Sequence, residues 1–266
     1  MTILHTSDEI RNSVRERYAQ VATKDEHCGC GTETTCCNTS DAATADKISA
    51  TLGYSAEEIS AIPAGANLGL GCGNPQAIAN LQEGETVLDL GSGGGFDCFL
   101  AARQVGSAGK VIGVDMTFEM VMRARANAAT MNARNTEFRL GEIEHLPVAD
   151  SSIDCIISNC VINLSPDKQQ VFHEAYRVLK HGGRIAVSDV VETAPLPDEW
   201  KNDSVLHSKC ALGAGTVEEV EMMLHNAGFR AIRIVPKDES KEFIRKWDEK
   251  KNIQDYIVSA HIEAIK

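Results

Sequence analysis

The chain predicts a doubly wound α/β fold with a mostly parallel sheet, on three observations. From Glu85 onward, short apolar runs alternate with helix-length stretches, the β-α-β order of a parallel sheet covered on both faces. An apolar strand, Val87 to Leu90, runs directly into a glycine turn and a helix start at Phe96. An acid, Asp115, closes the next strand 24 residues past Gly91.

The first 60 residues differ from the rest. Asp8 to Ala22 predicts an amphipathic helix with Ser7 or Asp8 as cap, and the KDEHCGCGTETTCCNTSDAAT segment that follows has almost no apolar residues and reads as a loop. Ser55 and Glu58 form the capping box of a further short helix. Ile59 to Gln82 carries no charge and is long enough to cross a bilayer at about 20 residues per span. Pro63, Pro75, four glycines and four amide side chains exclude that, and leave a buried or site-lining loop followed by a short helix.

Strands are expected at Thr86 to Leu90, Lys110 to Val114, Thr136 to Leu140, Ile153 to Ser158 and Arg184 to Val190. Helices fit Phe96 to Val105, Thr117 to Met131 and Lys168 to Leu179, with His181-Gly182-Gly183 as the C-cap of the last. A final helix, Val217 to Asn226, is closed by Gly228 and feeds strands near Phe229 to Val235 and Ile253 to Ile262. No repeat or long linker appears. The expected regions are 1–60, N-terminal helices and Cys-rich loop; 61–195, the cofactor-binding core; and 196–266, completing the sheet and the substrate site.

Composition bounds the function. Twenty-six Lys and Arg against 38 Asp and Glu give a net charge of −12, and no basic run offers a nucleic-acid footprint. The N-terminal residues lack a charged n-region followed by an apolar stretch, so a reducing, cytoplasmic setting without nucleic acid or membrane partners is expected.

In Val87-Leu-Asp-Leu-Gly-Ser-Gly-Gly-Gly-Phe96 the glycines let backbone N–H groups approach a ligand at the carboxyl end of the first strand. The dinucleotide fingerprint fails, because the sixth position from Gly91 is Phe96 and from Gly93 is Cys98. What remains, acid-x-Gly-x-Gly-x-Gly led by Asp89, looks like the cofactor loop of S-adenosylmethionine (AdoMet) methyltransferases. That cofactor has no pyrophosphate, and its zwitterionic end and ribose suit one acid near the loop and a second one βα unit later. The expected cofactor set is Asp89, Gly91, Ser92, Gly93, Asp115 and Met116, with Glu142 and Ile143 beside the adenine and Asn159 after the fourth strand. The competing reading is a ligand-free turn with Asp115 capping the helix from Thr117.

Nine cysteines, at 28, 30, 36, 37, 72, 98, 155, 160 and 210, point to metal binding, redox chemistry or burial before disulfides. Cys72 precedes Asn74, which can cap a helix begun by Pro75, so its thiol is expected beside a helix N-terminus. Cys160 follows the fourth strand and Cys210 lies beyond the fifth. Separations of 88 and 50 residues exclude close-set zinc or thioredoxin pairs. Three converging thiolates would select a soft, thiophilic ion. The alternative is plain burial, the reading adopted for Cys98 and Cys155.

GLGCGNP, VLDLGSGGGFD, GVDMT, GEIEHLP, SNCVINLSPDK, EAYRVLKHGGR and VSDV, in that order, closely resemble the arsenite methyltransferases over roughly Gly69 to Val191, with Lys209-Cys210-Ala-Leu-Gly-Ala matching more loosely. SNCVINL is the most specific segment. The resemblance implies a class I methyltransferase fold that transfers a methyl from AdoMet to trivalent arsenic held by Cys72, Cys160 and Cys210, served by a thiol reductant such as glutathione or thioredoxin. Arsenic bound by three sulfurs keeps a lone pair, so methyl transfer needs no general base and the protein supplies proximity and orientation. Many family members carry a further upstream Cys that forms a disulfide with the equivalent of Cys72, and here Cys28, Cys30, Cys36 and Cys37 all compete for that role. With His27 those four also suit a separate metal site, a metalloid-capture arm or a cluster without function. Two other functions suit the same residues: methylation of an organic small molecule with structural cysteines, and metalloid binding on a degenerate methyltransferase fold. The intact Asp89, Gly91, Gly93 and Asp115 argue against degeneration.

Overall fold

The computed structural model of the chain describes residues 6–23, 40–200, 212–248 and 250–266. Seven strands form one sheet: β1 Thr86–Leu90, β2 Lys110–Asp115, β3 Thr136–Leu140, β4 Ile153–Asn159, β5 Leu179–Glu192, β6 Arg230–Lys237 and β7 Ile257–Ile265. Their order is β3-β2-β1-β4-β5-β7-β6, with the first five parallel and β7 antiparallel to both β5 and β6. Order reverses between β1 and β4, so the crevice beyond their carboxyl ends is where an open α/β sheet binds ligands.

Successive side chains of a strand face opposite sides, and the apolar runs divide accordingly. Leu88, Leu90, Ile112, Val114, Ile156, Ile185 and Val187 pack on one face with Phe172 of α7 (Lys168–Val178) and Leu224 of α8 (Val217–Ala227). Val87, Val111, Cys155, Ile157 and Ala186 pack on the other with Phe99 of α5 (Phe96–Val105) and Val121 of α6 (Phe118–Met131). Asp89 shares the parity of Val87, which aims a carboxylate at α5. The N-terminal helix α1 (Ser7–Thr23) lies against α6, burying Val14 and Ala22.

Several boundaries differ from the sequence reading. Helix α2 (Ser40–Thr51) begins inside the segment read as loop, because four alanines between 42 and 50 favour helix. Helix α7 stops at Val178 and Leu179 is extended, so His181 to Gly183 lie within β5 and are not a helix C-cap. The bend there is taken up in the pairing: Ile153 faces Leu179 but Cys155 faces Arg184. Ile253–Asp255 is a 3₁₀ turn, and the strand starts after it.

Candidate active site

The glycine turn is fixed by backbone bonds to the neighbouring strand. Gly91 N and Ser92 N both donate to Val114 O, at 2.8 and 3.0 Å, and Gly95 N closes the turn onto Ser92 O. Gly91 has φ +72, and a Cβ there would strike Val161 in the loop after β4. Asp115 lies half-buried at the end of β2. Its Oδ2 accepts from Gly93 N at 2.9 Å and its Oδ1 from Thr117 N at 2.8 Å, so one carboxylate ties the glycine turn to the start of α6. Burial raises its pKa against those two N–H donors.

Next to this turn opens a cavity of about 480 Å³. Two carboxylates face it. Asp89 is 3% exposed and accepts from Cys98 Sγ at 3.2 Å, and Asp97, on the first turn of α5, is 9% exposed. Tyr54 donates its hydroxyl to Asp97 Oδ1 at 2.8 Å, Gln76 Nε2 donates to Asp97 O at 2.9 Å, and Asn159 Nδ2 donates to Tyr54 Oη at 3.1 Å. Burial pushes the Asp97 carboxyl up to about 6. Asp89 is held well above the carboxylate range by burial and then by the charge of Asp97. Neither acid meets Lys or Arg in an ion pair among the described residues, and Ser92 Oγ, also buried, has no hydrogen-bond partner. A cationic ligand with hydroxyl groups satisfies all three. AdoMet, with its sulfonium, ammonium and ribose, is such a ligand.

Cys160 lines this cavity, and Cys72 lies next to it after Gly71, another lining residue. Cys160 follows β4 with φ +60, a left-handed conformation that non-glycine residues seldom hold, and its N–H donates to Ser188 O at 2.7 Å. Cys72 N donates to Asn159 Oδ1 at 3.0 Å, and Cys72 Sγ lies 3.6 Å from the same Ser188 O. A Cβ on Gly71 would sit 2.7 Å from Asn159 Oδ1, so glycine there permits the close approach of the two loops. Cys72 Sγ, Cys160 Sγ and a carboxylate oxygen of Asp189 all lie within 4.8 Å of one another. Asn74 does not cap a helix: its Nδ2 donates to Gly53 O, the helix α4 (Gln76–Ala79) is a single turn, and the expected helix-terminus field at Cys72 is absent. Cys72 instead lies in an apolar cluster with Cys160, Trp200, Ile244 and Ile257, an environment that favours the thiol.

The fold and the sequence also match known proteins. A family profile described as a methyltransferase domain matches residues 81–228. An arsenite methyltransferase of Halobacterium salinarum is 54% identical over 97% of this chain and 67% of its own length. The chain belongs to the arsenite methyltransferase family. Other arsenite methyltransferases include those of Aquipseudomonas alcaligenes, 45% identical over 62% of this chain, and Homo sapiens, 41% identical over 62%. The chain spans about half the length of these two, 49% and 46%. A crystal structure of an arsenic(III) S-adenosylmethionine methyltransferase from Chlamydomonas reinhardtii superposes with a TM-score of 0.62 at 34% identity, covering 84% of this chain and 73% of that one.

In this member of the arsenite methyltransferases, Asp89, Gly91, Ser92, Gly93, Asn159 and Cys160 line one cavity, with Cys72 at its sulfur end. Asp115 contacts that cavity through Gly93. Met116 and Glu142 face a second opening beside α1, and Ile143 is buried in the core. Cys210, His27 and the cysteines at 28, 30, 36 and 37 lie outside the described residues. Cys98 and Cys155 are fully buried, in keeping with a packing role. The sequence reading did not pick out Tyr54, Asp97 or Asp189 as site residues. Asp189 sits inside VSDV at the carboxyl end of β5, and that position was the available signal.

Proposed function

We propose that the chain methylates trivalent arsenic with AdoMet as donor, Cys72 and Cys160 holding the arsenic together with Cys210. The observation that carries this is the approach of two sulfurs, 88 residues apart in sequence, to within 4.8 Å at the edge of a cavity whose other end offers a glycine turn and two buried carboxylates. Asp89 and Asp97 suit the cationic methionine end of the cofactor, Asp115 the ribose once it releases Gly93, and Ser92 a further hydroxyl. Glu142 and Met116 suit the adenine side, with Ile143 packed behind them.

AdoMet, when bound, supplies an electrophilic methyl on a sulfonium. Each cysteine that displaces a hydroxide of arsenite gives up its S–H proton, and that proton leaves with the hydroxide as water. The soft sulfurs suit arsenic better than any oxygen ligand. Cys160 stands on the same loop as Val161, which packs against the glycine turn, so the loop that presents sulfur also fixes the distance to the cofactor. A thiol such as glutathione or thioredoxin fits as reductant, and the cytoplasm as the setting. No helix among the described residues is long and apolar enough to cross a membrane.

Incubation of the purified chain with AdoMet, arsenite and a thiol, followed by chromatographic separation of arsenic species, tests the proposal. Methylated arsenicals appearing only with all three components are expected. AdoMet turnover independent of arsenic would transfer the chain to organic-substrate chemistry.

A further inference from the structure

Asp189 is a buried acid beside the two sulfurs. It is 2% exposed, and a carboxylate oxygen lies within 4.8 Å of both Cys72 Sγ and Cys160 Sγ. Every bond it accepts comes from N–H. Val190 N and Asn163 Nδ2 donate to Oδ1 at 2.8 and 2.9 Å, and Ile162 N and Asn163 N to Oδ2 at 3.0 and 3.4 Å. These donors solvate an anion. No Lys or Arg forms an ion pair with it among the described residues, and the cation that acts on it, Lys168, does so through space. A buried charge without an ionic partner is costly, although an apolar residue here would leave the same N–H groups unpaired.

We propose that Asp189 is the counter-ion of the arsenic site, stabilising the positive charge that arsenic acquires as it takes the methyl group. The inference rests on the reading that Cys72 and Cys160 hold the arsenic. Arsenic bound through three thiolates is neutral and carries a lone pair. In the transfer that pair forms the As–C bond, the C–S bond of the sulfonium breaks with both electrons retained by its sulfur, and no proton moves. One unit of positive charge passes from sulfur to arsenic. Asp89 and Asp97 lie at the cofactor end, and among the described residues Asp189 is the acid beside the sulfurs that receive it. Its four N–H bonds hold it in place before the reaction, so its field acts without reorganisation.

The test uses the full chain and two variants, Asp189→Asn, which removes the charge at constant shape, and Asp189→Glu, which disturbs the turn but keeps the charge. Arsenite affinity is measured by equilibrium dialysis, sulfur coordination by X-ray absorption at the arsenic edge, and methyl transfer by rapid-quench single turnover on arsenite-loaded protein at saturating AdoMet. For Asp189→Asn we expect arsenite affinity within about fivefold of the parent, unchanged sulfur coordination, unchanged AdoMet affinity, and transfer slower on the order of 10²-fold. Asp189→Glu should retain at least about tenfold more of the transfer rate than Asp189→Asn. Equal losses in the two variants, or an unchanged rate in Asp189→Asn with arsenic bound, overturn the proposal. An Asp189→Asn chain that does not fold or does not bind arsenite assigns Asp189 to holding the Cys160 turn, which overturns it too. If the parent chain binds no arsenite, the arsenic-site reading itself fails and takes this inference with it.

Discussion

Cys160 holds its sulfur in a left-handed backbone, and a serine in its place keeps that backbone but not the ligand. Hydroxyl oxygen is hard and stays protonated near neutral pH, whereas a soft ion selects thiolate. Cys160→Ser should therefore melt close to the parent and lose methylation of both arsenite and monomethylarsenite. Once a methyl occupies one coordination position two sulfurs suffice, so Cys72→Ser should lose arsenite methylation and keep that of the monomethyl species. A two-substrate assay on folded variants reads this directly, and retained activity of Cys160→Ser on both substrates would remove the sulfur site. Gly91 tests the other end of the cavity. Gly91→Ala combines a positive φ with a clash against Val161, and should cost more than the roughly 1–2 kcal/mol of left-handed backbone strain alone. The pair Gly91→Ala with Val161→Ala relieves the clash, so its urea midpoint should lie above that of Gly91→Ala; a lower midpoint would show that the loop yields without cost. At this scale the glycine turn, Asp89 and the two sulfurs were legible because strand ends and motif order locate them. Asp97 was not, since its partner Tyr54 lies 43 residues earlier and no local pattern links a helix residue to it.

Helix α1 packs on α6 and on the turn after Cys160, and two of its arginines fasten it. Arg11 reaches Glu144, whose side chain is 5% exposed, and Arg15 reaches Glu142, which is far more open. Glu144 also accepts from Ser165 Oγ at 2.7 Å, so the pair joins α1 to the loop that follows Cys160. An isolated helix of this length is marginal in water, and α1 depends on these contacts and on Val14 and Ala22. Arg11→Ala leaves a buried carboxylate with one hydroxyl donor and should cost about 1–3 kcal/mol, while Arg15→Ala should cost less than about 1 kcal/mol. Urea denaturation of the two variants compares them, and equal costs would mean that burial of Glu144 has no bearing on how α1 is held. The sequence located α1 through its apolar spacing, although Thr6, not Ser7 or Asp8, caps it by reciprocal bonds with Glu9, and it did not locate the start of α2 or of β5. Both lie where a local signal competes with another: alanines next to a Cys-rich sequence in α2, and a Gly-Gly pair that bends a strand instead of ending a helix in β5. Strand pairing with Ile153 and the bond from Gly182 N to Lys266 O decide the second case, and neither partner is near in sequence.

Over the whole molecule, a net charge of −12 coexists with buried acids at the carboxyl edge of the sheet, and this makes stability depend on pH in an unusual direction. Asp97 faces Tyr54, Asp89 and Glu58, none of them cationic, and burial raises its pKa to about 6. The folded state therefore binds its proton more tightly than the unfolded chain does. That contribution is present below the ordinary aspartate value and is lost as pH rises through about 6. Glu85, Glu137 and Glu174 are lowered instead, so their contribution is present above the ordinary glutamate value and lost as pH falls below it. His261, lowered by burial and by Lys237, also loses stability as pH falls below its ordinary value. Asp97→Asn isolates one member of this set, because asparagine still accepts the Tyr54 bond. Between pH 4.5 and 7 the parent should lose about 2 kcal/mol more stability than Asp97→Asn, from roughly 1.4 kcal/mol per pH unit over the part of that window below the raised pKa. AdoMet brings a cation to the same acids, so its stabilisation of the parent should be greater at pH 7 than at pH 4.5, with a smaller difference in Asp97→Asn. Urea titrations at the two pH values, with and without AdoMet, measure both quantities. Parallel pH dependence in parent and variant would mean that Asp97 is ionised in the empty protein at both pH values and that its charge is balanced by something other than the cofactor.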